Sequence, residues 1–397
     1  MSNHYDFDRV IDRRNTDSIK FDFAEHFGLP ADALPMWVAD MDFPAPEGVL
    51  WAARASVDHG IFGYTGVRQD YYDAVCGWFE RRFHWHTEPE WVVYTPGVVF
   101  ALSMAVRALT RPGDPVVIQP PVYRPFFQVV RDNGRRVVEN PMRYEDGRYT
   151  MDLEGFERAV IENGVHLFIL CSPHNPTGRV WTREELRAVG DICRRYDVTV
   201  ISDEIHCDFT WPGHPHTPFI EAVPDMKDRA IICTAPSKTF NLAGLQVSNL
   251  FVPNRDIREK LQREINATGW SGLNNVGLAA CKAAYREGDD WLDALRVYLR
   301  GNLDFMRDYL RENLPMLRLI ESEGTYLAWV DFSALNLTPE QLHDLVANKA
   351  RLWLDDGNIF GSQGEQFQRF VLACPRATLR EGLERLKGAI VGSQAVK

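Results

Sequence analysis

Ala230-Ile231-Ile232-Cys233-Thr234-Ala235-Pro236-Ser237-Lys238-Thr239 is a run of apolar, β-prone residues broken by a proline and closed by a lysine. The apolar part reads as a buried strand. A lysine so close to it is badly placed for a surface charge. Lysine side chains are usually solvated, and burying one lowers its pKa because desolvation disfavours the ammonium. A neutral amine condenses with carbonyls, which suits Lys238 to hold an aldehyde cofactor. The plain alternative is a lysine that merely opens a loop.

Two motifs upstream weigh against that alternative. Asn175-Pro176-Thr177-Gly178 follows the strand-like stretch 165–171, and Asp203-Glu204-Ile205-His206 closes the apolar run 198–201. All three motifs lie just beyond the carboxyl ends of predicted parallel strands, where open α/β sheets bind their ligands. They bring an amide, a carboxylate and an amine to one crevice. Pyridoxal 5′-phosphate needs that set: an amine for its aldehyde, a carboxylate for its ring nitrogen, and a hydrogen-bond donor near its phenolic oxygen. The carboxylate keeps the ring nitrogen protonated, so the ring can accept electrons when a substrate bond breaks.

The alternation around these motifs supports the same fold. Residues 97–109 read as a helix, 115–119 as a strand, 123–134 as a helix and 135–139 as extended. Thr182-Arg183-Glu184-Glu185 fits a capping box at a helix start. The expected fold is α/β: a large cofactor-binding domain with a mostly parallel central sheet covered by helices, plus a smaller α/β domain. From Gly288 the pattern changes to a long amphipathic helix over 289–313, with Trp291, Leu295, Tyr298, Leu299, Leu303, Met306 and Leu310 on one stripe. Strands over 325–332 and 367–373, a helix over 339–348 and a terminal helix from Thr378 complete the small lobe. The expected division is 51–287 as the large domain and 288–397 as the small C-terminal domain.

With these motifs the chain resembles the fold-type I pyridoxal-phosphate enzymes of the class I/II aminotransferase superfamily, over nearly its whole length; the resemblance implies that residues 1–50 pack with the small domain, which makes that α/β domain discontinuous. It is most similar to the MalY/PatB-type cystathionine β-lyase (carbon–sulfur lyase) branch. That likeness rests on Met36-Trp37-Val38-Ala39-Asp40-Met41-Asp42-Phe43, Ser202-Asp203-Glu204-Ile205-His206, Ala235-Pro236-Ser237-Lys238-Thr239-Phe240-Asn241-Leu242-Ala243-Gly244-Leu245 and Ala373-Cys374-Pro375-Arg376. The resemblance implies a catalytic Lys238, the ring-nitrogen carboxylate Asp203, an aromatic Tyr123 stacked on the ring, and cofactor contacts from Asn175 and His206. It implies a phosphate cradle at Gly97 and Val98, where a helix start leaves N–H groups free for an anion, aided by Ser237. It further implies that Tyr64 reaches the phosphate of a neighbouring subunit, which makes the expected assembly a homodimer with shared active sites. Arg376 is the expected fork for the substrate α-carboxylate, and Trp37 the expected cover of the substrate side chain. Aspartate-type aminotransferases carry an arginine eight residues after the lysine; here that position is Gln246.

The implied activity is α,β-elimination on L-cystathionine or a related L-cysteine S-conjugate, giving homocysteine or another thiol, pyruvate and ammonia. Aminotransfer by the same residues stays open, as does a regulatory binding role with the cofactor retained. The resemblance implies a small amino-acid substrate as partner, and bulk properties argue against nucleic acid and membrane. The 397-residue chain is 45% hydrophobic and 25% charged with a net charge of −11, and no segment carries the basic footprint of nucleic-acid binding. No apolar stretch approaches the roughly 20 residues that span a bilayer. Seven scattered cysteines without a CxxC pair and a polar stretch at 6–14 suggest a cytoplasmic protein. His206, His214 and His216 lack HExxH or paired-cysteine spacing, so no metal site is expected.

Overall fold

The computed structural model describes residues 5–394. Its main sheet has seven strands: β1 (Val92–Thr95), β2 (Pro115–Ile118), β3 (Arg136–Glu139), β4 (Leu167–Cys171), β5 (Thr199–Asp203), β6 (Ala230–Thr234) and β7 (Ser248–Phe251). They lie in the order β1-β7-β6-β5-β4-β2-β3. The five strands from β3 to β6 in that row are parallel, whereas β7 runs against both of its neighbours. The sheet is therefore mostly parallel, as the alternation predicts. The reversed strand has no sequence signature, because a four-residue run reads the same in either direction.

Strands β4 and β6 are buried at every position. Such continuous apolar runs are what a sheet covered on both faces requires. The two faces sort by the strand period of two. Ile169, Ile201 and Ile231 pack under the helices α1 (Val98–Leu109) and α2 (Pro125–Arg131), while Phe168, Val200 and Ile232 face the opposite core. On that side α3 (Arg183–Arg195) begins with the predicted capping box. Thr182 Oγ1 accepts from the Glu185 N–H at 3.2 Å, and Glu185 Oε2 accepts from the Thr182 N–H at 2.8 Å.

Register decides where the chemistry goes. Asp203 sits opposite Cys171 on one side and Cys233 on the other. The three strands thus end in a row, and the segments carrying Asn175, His206 and Lys238 leave the sheet along one edge.

The small lobe is built from α4 (Asp289–Asn313), a four-stranded antiparallel sheet and α5 (Arg376–Gln394). The sheet contains β8 (Arg318–Leu319), β9 (Leu327–Asp331), β10 (Asp355–Asp356) and β11 (Phe367–Val371), in the order β8-β9-β11-β10. The predicted stripe of α4 is buried except for Tyr298, which is half-buried so that its hydroxyl can donate to Asp8 at 2.6 Å. The helix expected over 339–348 is instead a short α-helix, Pro339–His343, continued by π-helical Asp344–Lys349. The terminal helix starts at Arg376 rather than Thr378, because the Pro375 carbonyl already accepts from the Leu379 N–H.

The N-terminal segment stitches the lobes together. Leu34–Pro35 pairs in parallel with Leu352–Trp353, and the Asp42 N–H donates to the Ala373 carbonyl at 2.9 Å. From the large lobe, the Asn241 amide accepts from the Met41 N–H and donates to the carbonyls of Met41 and Phe43, each at 2.9 Å. One side chain thereby locks the segment 36–43 to the loop that carries Lys238.

Candidate active site

A cavity of about 700 Å³ opens at the strand-end edge, between the sheet and the small lobe. Lys238, Asp203, Asn175 and His206 line it from the sheet side. Tyr123, Gly97, Val98 and Ser237 add a second wall, and Trp37 reaches in from the N-terminal segment. Most of the predicted positions are brought together; Arg376 and Tyr64 are not.

Lys238 rides on the single helical turn Pro236–Thr239 that follows β6. Its ammonium donates to the Ala39 carbonyl at 2.8 Å, a bond across the chain to the segment held by Asn241. Burial pushes its pKa down to about 8; Arg369 adds to the drop, while Asp40 and Asp203 oppose it. The amine is therefore partly neutral near physiological pH, as carbonyl condensation requires. Nearby, Asp42 accepts from Lys20 at 2.9 Å and from Arg13 at 2.8 Å, which fixes the loop presenting Ala39.

The buried Asp203 carboxylate accepts the Ile205 N–H, at 3.2 Å, and no other hydrogen bond among the described residues. Burial pushes it up to about 7 despite that bond and the nearby Lys238. A buried carboxylate this poorly compensated is suited to a cationic partner. His206 is also buried, and its Nδ1 has no hydrogen-bond partner among the described residues. Burial and the cations Lys238 and Arg369 push it down to about 3, so the ring is neutral. An orphaned ring nitrogen in a cavity wall is a contact point for a bound group.

The expected anion cradle falls at the start of α1. Gly97 flanks the helix, and open space stands where a Cβ would project from it. The first intrahelical bond is from the Ala101 N–H to the Gly97 carbonyl, which leaves the N–H groups of 98–100 without helical acceptors. Ser237 and Gln246 border the same cavity. Tyr123 packs edge-on to Phe126, and burial pushes its phenol up to about 12, so it is neutral.

The small-lobe wall corrects the sequence reading of the carboxylate fork. Arg376 lies outside the cavity. At the start of α5 its Nε donates to Asn302 at 2.5 Å, and its guanidinium packs over the rings of Tyr298 and Phe305. Its place at a helix start turned toward α4 makes it a strut between helices. The buried arginine of the cavity is Arg369, in the middle of β11 and 4% exposed. Its Nη1 donates to Asn175 at 2.9 Å, its Nη2 donates to the Trp37 carbonyl at 2.8 Å and pairs with Asp355, and its Nε has no hydrogen-bond partner among the described residues. Asp355 is its direct cross-strand neighbour on β10. The signal was in the sequence: Phe367-Gln368-Arg369-Phe370-Val371 places an arginine inside a strand buried throughout, where a guanidinium is rare unless paired or used. Trp37 stacks on Trp353 with ring centroids 4.4 Å apart, which fixes its plane at the cavity rim. Tyr64 lies outside this cavity and is 99% exposed.

The comparisons with known proteins agree with this geometry. The family described as aminotransferase class I and II matches residues 38–386. The chain belongs to that family. It is 46% identical to cystathionine β-lyase PatB of Bacillus subtilis (strain 168), over 97% of this chain and 99% of the relative. Among solved structures it resembles cystalysin of Treponema denticola, which contains pyridoxal 5′-phosphate, with a TM-score of 0.95 and 36% identity over 98% and 99% of the two chains. It also resembles the pyridoxal-phosphate-bound C–S lyase of Staphylococcus hominis, with a TM-score of 0.91 and 34% identity over 98% of each chain.

Proposed function

We propose that this chain is a pyridoxal-phosphate-dependent carbon–sulfur β-lyase. It acts on L-cystathionine or related L-cysteine S-conjugates and yields homocysteine or another thiol, pyruvate and ammonia. The observation that carries the reading is the meeting of Lys238, Asp203 and Arg369 in one cavity, in a chain 46% identical to a cystathionine β-lyase.

The residues present fit the cofactor. Lys238 would hold its aldehyde carbon, Asp203 its ring nitrogen, and Tyr123 the face of its ring. The orphaned Nδ1 of His206 and the Asn175 amide would serve its phenolic oxygen. The free N–H groups at Gly97 and Val98, with the Ser237 hydroxyl, would take its phosphate. Gln246 stands where aspartate-type aminotransferases place an arginine, so this cradle relies more on neutral donors. When bound, the cofactor supplies a carbonyl for the substrate amine and a ring that draws electrons from the breaking bond.

The chain's own contribution is orientation and proton handling. The Arg369 fork suits the α-carboxylate, and fixing that group sets which bond at Cα faces Lys238. The lysine amine, neutral above about pH 8, takes the Cα proton as general base. Asp203, held in a buried site, keeps the ring nitrogen protonated. Trp37 closes the rim over the departing sulfur substituent.

The exposed run Ile61, Phe62 and Tyr64, with Trp51 and Val57 also exposed, supports a homodimer in which Tyr64 reaches the partner's phosphate cradle. A cytoplasmic setting is supported by seven free cysteines; no helix among the described residues is long and apolar enough to cross a membrane. The deciding assay gives purified holoprotein L-cystathionine and follows pyruvate, free thiol and amine transfer to 2-oxoglutarate together. Equal pyruvate and thiol with little transfer is the expected result. Transfer from several amino acids to 2-oxoglutarate with cystathionine left intact would overturn the lyase reading in favour of an aminotransferase.

A further inference from the structure

The cavity is lined by five Asp, Lys or Arg side chains: Lys238, Asp203, Arg369, Asp355 and Arg124. Four are engaged. Lys238 is bonded to Ala39, Arg369 is tied to Asn175, Trp37 and Asp355, and Asp203 accepts from Ile205. Arg124 differs from all of them. Its guanidinium makes no hydrogen bond, ion pair or ring contact among the described residues, and the residue is exposed at the cavity mouth. It is also well anchored: it precedes Pro125 at the start of α2 and adjoins Tyr123, which stands in the cavity wall. Its charge reaches Asp355, whose pKa it helps to lower against the rise caused by burial. The cavity walls also include apolar surface from Trp37, Ile359 and Phe360.

We propose that Arg124 forms a second carboxylate subsite, so that the preferred substrates are L-cysteine S-conjugates whose sulfur substituent ends in a carboxylate. The inference rests on the lyase reading and narrows its substrate class. With the α-carboxylate on Arg369 and the amine at Lys238, the sulfur substituent occupies the remaining space, where Arg124 is the unpaired cation. The apolar wall takes the methylenes between sulfur and carboxylate. A neutral substituent packs on the same wall and gains nothing from the guanidinium. A carboxylate gains a charge-assisted bond, weakened by the solvent around Arg124.

The test compares S-(2-carboxyethyl)-L-cysteine with S-propyl-L-cysteine, a pair matched in length. Wild-type holoenzyme should favour the carboxylate by at least 10-fold in kcat/KM, mostly through KM. Arg124→Gln should lower that ratio at least 5-fold and Arg124→Lys should keep part of it. The wild-type ratio should shrink as salt rises from 0.05 to 0.5 M, as screening of an exposed charge requires. Calorimetry on the holoenzyme should show the same discrimination between adipate and hexanoate, which do not react. Equal kcat/KM for the two conjugates, or a ratio unchanged in Arg124→Gln, would overturn the subsite. So would loss of pyridoxal-phosphate affinity in Arg124→Gln with the ratio intact, which would make Arg124 a phosphate ligand. If wild type releases thiol and pyruvate from neither conjugate nor from cystathionine, the lyase reading itself falls and takes the subsite with it.

Discussion

The two walls of the cavity are built on different principles. On the large-lobe side, Asn175, Asp203 and Lys238 stand at or just beyond the ends of neighbouring parallel strands, so topology alone delivers them to one edge. On the small-lobe side, Arg369 lies in the middle of an antiparallel strand and is held by lateral partners: Asp355 across the sheet, Asn175 from the other lobe and the Trp37 carbonyl from the N-terminal segment. The first wall is specified by where strands stop. The second is specified by what compensates a buried charge.

The largest expected effect falls on the first wall. Lys238→Ala removes both the anchor and the base, so turnover should fall by more than about 10³-fold. Borohydride reduction of the wild type followed by peptide mapping should label Lys238; label on another lysine would break the assignment. Asp203→Asn should lower kcat by roughly 10²-fold while cofactor still binds, since the ring nitrogen loses its anionic partner. That substitution should also stabilise the protein without cofactor. The folded-state pKa of Asp203 is raised to about 7, so its buried charge weakens the fold progressively as pH climbs from about 4 to 7. Removing it should add roughly 1–3 kcal/mol at pH 8 and little at pH 4, read as thermal melts at the two pH values. A gain that is the same at both would rule out the charge as the cause.

On the second wall, Arg369→Ala should cost about 10²-fold in kcat/KM, through loss of the carboxylate fork and through the Asp355 carboxylate left buried without its partner. Arg369→Lys should recover little of it, because an ammonium lacks the planar fork. Arg376→Ala supplies the contrast. It should leave kcat/KM within about 3-fold and instead lower stability by roughly 1 kcal/mol, from the lost bond to Asn302 and the lost packing on Tyr298 and Phe305. If Arg376→Ala proved the more damaging to substrate binding, the two walls would have to be redrawn.

The smallest effect is a pH dependence. The free amine of Lys238 has a pKa lowered to about 8, and only the neutral amine captures an aldehyde. The rate of cofactor uptake by the stripped protein should therefore rise with pH and level off above about pH 8, followed in stopped-flow absorbance. A rate that keeps rising to pH 10 would show that burial does not depress this lysine.

Legibility in the sequence followed the same division. The five parallel large-lobe strands, the capping box at Thr182 and the lysine turn could be read because each has a local cause: an apolar run, a Thr-x-x-Glu spacing, a proline before the lysine. Helix Asp289–Asn313 was readable end to end from its stripe. Arg376 was expected in the cavity because it sits in a motif-like segment, Ala373-Cys374-Pro375-Arg376, whereas Arg369, seven residues upstream and proposed above as the carboxylate fork, is identified only by pairing across strands. Asp355 and Arg124 escaped notice for that reason as well; neither has a local signature, and both acquire meaning from the cavity they line. The short reversed strand β7 was missed because its direction depends on where its neighbours lie.

The bond from Lys238 to the Ala39 carbonyl joins residues 199 positions apart. A ribosome adding about 5–20 residues per second makes the donor roughly 10–40 s after the acceptor. The segment 36–43 emerges early and has no docking place until the Asn241 clamp and the Ala373 carbonyl exist. The reactive amine is thus caged last, after nearly the whole chain has left the ribosome. A nascent chain stalled before residue 373 would carry the lysine but not the finished cage, so cofactor capture reports completion of synthesis as well as of folding.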